Sequence, residues 1–291
     1  MSFMDTEPIE TYDRYCDFSI IEIENILFGH LHFSLVSSFN DPRDSRISCF
    51  VHLKPSDEER KKLLGFGLSE KLLGTFKFKI AQKIEDSICV CCFSKADLEN
   101  QPTMWGYYAN KSSGMRITYR SPRIRSSSSL AIEEKLMQVT YDDRDELMTT
   151  HSDNLVSRVL FRMVKPSKGT KDIEEALLRQ VPVCLGECGK STDADGYDDL
   201  KYVITTKAKC WEKEKEFRLV RILTKGKKQV LALGSGNRIS EICLGARSSA
   251  ENIAMAKALF SGKKFPLSKE TLSDSLMETL VYSAQTEGGN Q

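Results

Sequence analysis

Short apolar runs alternate with polar turns along the whole chain, and the spacing of each run predicts an element. Ile20, Ile23, Ile26 and Leu27 recur at helical intervals between Ser19 and Phe28, and Gly29 stands where a left-handed cap would end that helix. Leu31 to Ser34 reads as a brief strand. Phe39 to Asp44 reads as a turn, because Asn40 and Asp41 can close side-chain hydrogen bonds onto the backbone and Pro42 bars helix at Asp41. Charged helices are expected from Ser56 toward Leu64 and from Ser69 to about Lys79, separated by Gly65 and Gly67. The continuous apolar run from Ile88 to Phe93 has the pattern of a strand buried on both faces and is the expected central strand. Thr103 to Asn110 predicts one or two helical turns, with Gly114 as a left-handed exit into an alternating strand from Met115 to Tyr119.

Further along, Leu136 to Tyr141 predicts a strand, Asp145 to Met163 a helix and Ile173 to Val181 another. Gly, Ser and Asp crowd the stretch from Gly186 to Asp199, which predicts a surface loop. Phe217 to Leu223, Lys228 to Leu233 and Arg238 to Leu244 read as three short strands of a meander, followed by helices over Ala250 to Phe260 and Leu267 to Leu280. The polar, basic segment Ser121 to Ser129 is expected to be a mobile loop rimming a cleft, where Arg120, Arg123 and Arg125 would attract phosphate. Together these elements predict a single α+β domain over residues 12–282, with a mixed, mostly antiparallel central sheet flanked by helices. Tails are expected at residues 1–11 and 283–291.

At 291 residues with 40% apolar content, the chain can fill a substantial core. Its 42 Lys and Arg against 41 Asp and Glu give a net charge of +1, so any charged partner must be met by a local patch. The acidic N-terminus lacks the basic start and apolar run of a signal peptide, and no apolar stretch reaches membrane length, which predicts a cytoplasmic protein with no membrane partner. Nine cysteines, several among apolar neighbours, read as reduced core thiols. Cys184 and Cys188 have no second ligand pair at zinc spacing, so no metal is expected.

Five landmarks occur in order: Tyr12-Asp13-Arg14-Tyr15; Phe39-Asn40-Asp41-Pro42 with Asp44; Cys92-Phe93-Ser94 followed by Thr103-Met104-Trp105 and Tyr108-Ala109; Trp211 with Glu214, Glu216, Phe217 and Arg218; and Ile242-Cys243-Leu244-Gly245. Over residues 12 to 260 the chain resembles a widespread bacterial family known chiefly as a domain of unknown function. It departs at Phe217, where that family is expected to carry Trp, and the family offers no settled catalytic residues to carry over. The motif order also resembles that of ADP-ribosyltransferases, including DNA-modifying bacterial toxins. This second resemblance implies an ADP-ribosyltransferase-like fold and NAD as the substrate. It further implies a nucleic-acid or protein acceptor and, for a toxin or phage-defence effector, a neutralising partner protein.

If Glu212 to Glu216 enters the strand that continues through Phe217, alternation places Glu212, Glu214, Glu216 and Arg218 on one face. Three carboxylates side by side repel one another and raise at least one pKa; the other reading is an exposed strand edge defended by alternating Lys and Glu. The resemblance to ADP-ribosyltransferases implies that Glu216 stabilises the ribosyl cation and that Glu214 orients the acceptor. Trp105, Tyr107 and Tyr108 offer aromatic faces for a nicotinamide or base, or else core packing. Asn40, Asp41 and Asp44 either contact a ribose or hold their own turn. Arg14, between Tyr12 and Tyr15, either clamps a pyrophosphate or forms a surface salt bridge. Arg218 completes the expected cofactor-binding set. The competing function is a non-catalytic nucleotide- or nucleic-acid-binding module.

Overall fold

A computed structural model describes residues 10–95, 101–120, 130–133, 136–190, 192–224, 229–232, 238–272 and 277–282. The expected loop at 121–129 and the tails at 1–9 and 283–291 lie outside these residues. The strands are β1 (Thr11–Cys16), β2 (His30–His32), β3 (Ser34–Leu35), β4 (Ile88–Lys95), β5 (Met115–Arg120), β6 (Met137–Gln138), β7 (Thr140–Tyr141), β8 (Thr206–Lys207), β9 (Glu216–Ile222), β10 (Val230–Ala232), β11 (Arg238–Leu244), β12 (Leu267–Leu272) and β13 (Met277–Tyr282). The helices are α1 (Ile20–Phe28), α2 (Ile47–Phe50), α3 (Asp57–Phe66), α4 (Leu73–Glu85), α5 (Gln101–Tyr108), α6 (Asp145–Arg162), α7 (Ile173–Leu178), α8 (Val181–Cys188), α9 (Ala194–Thr205) and α10 (Ala250–Phe260). The fold is α+β, built on a 9-stranded sheet in the order β13-β12-β11-β5-β1-β4-β9-β6, with β3 also on β4. Within that sheet the β11–β12 pair is parallel and the other pairs are antiparallel. Among the described residues no helix is long and apolar enough to cross a membrane.

The expected central strand sits where its apolar run placed it. Period-2 alternation splits β4 and β9 between two cores: Ile88, Val90, Val220 and Ile222 face the layer of α4, α6, α8 and α9, while Cys89, Cys91, Phe93 and Leu219 join the core under α1 and α10. The register Cys92↔Arg218 and Ser94↔Glu216 continues the first of these rows. Along that row, toward the C-terminal end of β4, an apolar core gives way to a charged cluster.

Four expectations are corrected. Residues 186–199 are largely helical, because Asp193 caps α9 by accepting from Gly196 N and the helix buries Leu200, Val203 and Ile204. The stretch 267–280 forms β12 and β13 instead of a helix, paired antiparallel. The three late strands make no meander: β9 pairs with β4 and β6, β10 with β2, and β11 with β5 and β12. Gly114 is not the left-handed residue, a role taken by Asn110, Lys111 and Ser112 with φ of 47°, 52° and 68°. Gly114 is needed for space, since a Cβ there would lie 2.2 Å from the Cys16 carbonyl oxygen.

The main sheet is split beside β4. β1 pairs with it through Tyr12↔Lys95 and Asp13↔Ser94 and then follows β5, while β3 meets β4 at Val90 and Cys89. Between those contacts the edge at residues 91–93 opens into a cleft.

Candidate functional site

The cleft is a cavity of about 430 Å³, within the range of small-molecule sites. Its floor is the β4 segment from Val90 to Ser94. Around it stand Arg14, Tyr15 and His32, Asn40, Asp41 and Asp44 of the turn, and Tyr107, Tyr108, Trp211, Glu214 and Glu216. Thus β1, the 39–45 turn, α5 and the entry to β9 converge on one cavity.

Three site expectations fall elsewhere. Tyr12 lies outside the cavity; its hydroxyl donates to Glu10 Oε2 at 2.5 Å and its ring stands edge-on to Phe217. Trp105 is buried core, edge-on to Tyr15, with Met104, Ala109 and Cys243 beside it. Arg218 lies beneath the cavity and is fully buried. Arg14 does line the cavity, but its two terminal nitrogens sit on the Glu22 carboxylate at 2.6 Å each, and both side chains are nearly buried, so the surface salt bridge is corrected to an internal pair.

The alternation of Glu212, Glu214 and Glu216 is also corrected. Lys209–Glu214 is a 3₁₀ helix, Lys215 adopts φ 44°, and β9 begins at Glu216. Glu212 is therefore exposed, while Glu214 and Glu216 are buried. The third carboxylate of the cluster is Asp44. Arg218 donates from Nη1 and Nη2 to Asp44 Oδ1 and Oδ2 at 2.8 and 2.6 Å, and from Nε to Glu216 Oε1 at 2.6 Å. The turn that delivers Asp44 is held as its sequence predicts: Asp41 Oδ1 accepts from Arg43 N at 2.9 Å. Ser45 follows at φ 58°, an uncommon conformation for a residue other than glycine, and its hydroxyl accepts from Arg218 Nη1.

Lys207, at the end of β8, completes the cluster. Its ammonium donates to Glu214 Oε2 at 2.5 Å and to Glu216 Oε2 at 3.1 Å, and it lies 4.9 Å from the centre of the Trp211 ring. Tyr108 donates to the other Glu214 oxygen at 2.6 Å, and Trp211 Nε1 donates to Asp41. Asp44, Glu214 and Glu216 thus surround an ammonium. Among the described residues no group of His, Cys, Asp and Glu side chains has the arrangement to hold a metal ion.

The two glutamates are driven apart in acidity. Burial raises both, but at Glu216 the adjacent Arg218 and Lys207 outweigh it and hold the carboxyl down at about 2. At Glu214 burial prevails over Lys207 and Tyr108, and the pKa is raised. Burial also pushes the Cys92 thiol far up, next to Glu216. The site thus pairs a carboxyl whose pKa is lowered by two cations with one whose pKa is raised by burial.

Sequence reasoning missed Lys207, Trp211 and Cys92 as site residues. Trp211 and Cys92 stood within landmark motifs, whereas Lys207 carries no local signal, because its partners are set by where β8 meets β7 and the 3₁₀ helix meets β9.

Residues 104–219 match the model of the family described as protein of unknown function (DUF2971). That span holds Tyr107, Tyr108, Lys207, Trp211, Glu214, Glu216 and Arg218; Arg14, Asp44 and the β4 floor lie before it. The search of curated proteins found no match, and the search of solved structures found none.

Proposed function

We propose that the cleft takes the nicotinamide end of NAD as substrate and breaks its N-glycosidic bond, acting as an ADP-ribosyltransferase or, with water as acceptor, an NAD glycohydrolase. The observation that carries this reading is the pair of glutamates that share Lys207 yet differ in acidity at the mouth of the split sheet. The carboxylates favour the cationic pyridinium. As the C1′–N bond breaks, its electron pair leaves with the nicotinamide nitrogen and positive charge develops on the ribose, where the ionised Glu216 stabilises it. The acceptor oxygen attacks C1′ and its proton passes to Glu214. Tyr108 and Trp211 supply aromatic walls for the ring, and the open β4 edge offers backbone groups to an amide.

One observation favours a second reading, a binding module without chemistry: both Glu216 oxygens are already engaged by Arg218 and Lys207. Nicotinamide release from NAD, measured with and without cell extract as acceptor source, separates the two. Release that is lost in Glu216→Gln supports glycosyl transfer. Binding of NAD by calorimetry with no release under either condition supports the module instead.

A further inference from the structure

Glu216 opens β9, and its two main-chain groups are held in different ways. β6 pairs with β9 through Met137↔Arg218 and Gln138↔Phe217. One residue further along, Val139 N donates to the Glu216 carbonyl at 2.9 Å. A regular antiparallel pair would return the second bond, from Glu216 N to the Val139 carbonyl. Instead the Glu216 N–H donates to the Tyr141 hydroxyl at 2.8 Å. The chain leaves β9 at this point: Thr140 and Tyr141 form β7, which runs parallel to β8 with Thr140 opposite Thr206 and Tyr141 opposite Lys207. A phenol oxygen thus takes the place of a main-chain carbonyl at the last rung of the ladder.

Tyr141 therefore joins two parts of the buried charge cluster. Its main chain is in register with Lys207, its side chain holds the main chain of Glu216, and the side chains of those two residues meet at 3.1 Å. The bond lies one residue after Lys215, where φ of 44° ends the 3₁₀ helix and sets the direction of β9. Burial pushes the phenol up to about 12 against the opposing bond from Glu216 N, so it stays protonated through the neutral range. With Glu216 only 4% exposed, its N–H has little access to solvent, and a buried donor left unpaired costs more than the net worth of the bond it loses. Tyr141 is not among the described residues that line the cavity, so whatever it does there passes through its neighbours.

We infer that Tyr141 is a positioning residue for the site: its hydroxyl fixes the first residue of β9 so that the Glu216 carboxylate stands between Arg218 and Lys207 at the cavity wall. As a statement about catalysis this rests on the glycosyl transfer proposed above, but the placement of Glu216 is read without NAD, so the two fail separately.

Tyr141→Phe keeps the ring and removes the acceptor. Amide hydrogen exchange at neutral pH, followed by NMR, compares the Glu216 N–H with that of Val139, which donates to Glu216 without using the hydroxyl. Exchange at Glu216 should be about 2- to 12-fold faster than in the parent protein, the equivalent of one ordinary hydrogen bond, with Val139 unchanged. A global loss of stability would instead speed both alike. In protein carrying carbon-13-labelled glutamate, the Glu216 carboxyl resonance is identified by its absence in Glu216→Gln. Held less closely by its two cations, it should titrate roughly 0.5–1 unit higher in Tyr141→Phe. With NAD as substrate, kcat for nicotinamide release should fall about 10- to 100-fold, as for a misplaced catalytic group, while KM stays within about 2-fold. Exchange that is unchanged at Glu216, or that rises equally at Val139, overturns the inference. A Glu216 titration that does not move also overturns it, as does a raised KM with kcat unchanged, which would make Tyr141 a binding residue. If neither protein releases nicotinamide, the glycosyl-transfer reading falls, and exchange and titration alone decide the positioning role.

Discussion

Arg218 and Asp44, separated by 174 positions in sequence, meet beneath the cleft with two guanidinium nitrogens on two carboxylate oxygens. Neither side chain reaches solvent to any useful degree, at 0% and 3% exposure. Arg218→Met removes the buried guanidinium that holds Asp44 and Glu216 and leaves both to Lys207 alone, and breaking a buried pair from one side costs about 3–5 kcal/mol. The midpoint of urea unfolding should fall accordingly. A midpoint unchanged from that of the parent protein would mean that water compensates Asp44 and that the pair does not organise the site.

Glu216→Gln should abolish nicotinamide release and also destabilise the fold. Sequence alone predicts the opposite for stability, since relieving three crowded carboxylates would leave it unchanged or raise it. The structure reverses the sign because Glu216 accepts from both Arg218 and Lys207. Loss of a charge-assisted hydrogen bond costs roughly 1.5–3 kcal/mol, while the exposed Glu212→Gln should stay within about 0.5 kcal/mol. A melting temperature that rises in Glu216→Gln contradicts this account.

Acid should expose the same linkage. The folded pKa of Glu216 lies at about 2, below its unfolded value of about 4.3. Its stabilisation is therefore complete above the unfolded value and is lost as pH falls through the folded one. Glu214, shifted upward, has the contrary sign: its contribution is present below the ordinary carboxylate range and disappears as pH rises through its folded pKa. Melting curves between pH 2 and pH 5 should show a steeper acid limb in the parent protein than in Glu216→Gln; equal limbs would remove Glu216 as the cause.

Tyr108→Phe tests the proton-carrying role of Glu214. The Tyr108 hydroxyl donates to Glu214 and so favours its ionised form. Without it, the pH at which nicotinamide release reaches half its plateau should rise by roughly 0.5–1 unit, the equivalent of one modest hydrogen bond. An unmoved profile with a lower plateau would show that the tyrosine packs the substrate and does not tune the acid.

Two glycines of similar sequence position should respond in opposite ways. Gly114→Ala forces a methyl group against the Cys16 carbonyl and the Ala109 backbone, and overpacking of that kind costs about 1–3 kcal/mol. At Gly106, within α5, an added methyl group would meet nothing within 4 Å, so Gly106→Ala should stabilise by about 0.5–1 kcal/mol through helix propensity. Differential scanning calorimetry distinguishes them; equal shifts would refute the close approach of β1 and the 109–114 turn.

Local pattern carried far in this chain, and its failures share a cause. The helix ending at Gly29, the β4 run and the Asx turn at Asp41 depend on neighbours in sequence, and each stands as its residues predict. The Leu267 to Leu280 stretch failed because its apolar positions fit both periods, and pairing with β11 decided for strand. The late strands were separated by turns suited to hairpins, yet their partners were β4, β2 and β5, chosen by packing across the molecule. In the site, alternation brought Glu214, Glu216 and Arg218 together for a reason that proved wrong, since Lys215 at positive φ performs the reorientation. Asp44 and Lys207 were legible as polar residues but not as partners, because their pairing is a property of the sheet.

The split beside β4 also bears on how the chain reaches its native state. Groups lining the cavity come from β1, the 39–45 turn, β4, α5, β8 and the start of β9, and β9 reaches its place beside β4 from far along the sequence. Long-range pairing of this kind is slow, since chain closure must precede any gain from contact. A nascent chain halted before β9 thus already holds Asp44 and both tyrosines of α5 but lacks Glu216 and Arg218, and with Arg218 the guanidinium on which Asp44 and Glu216 are fixed.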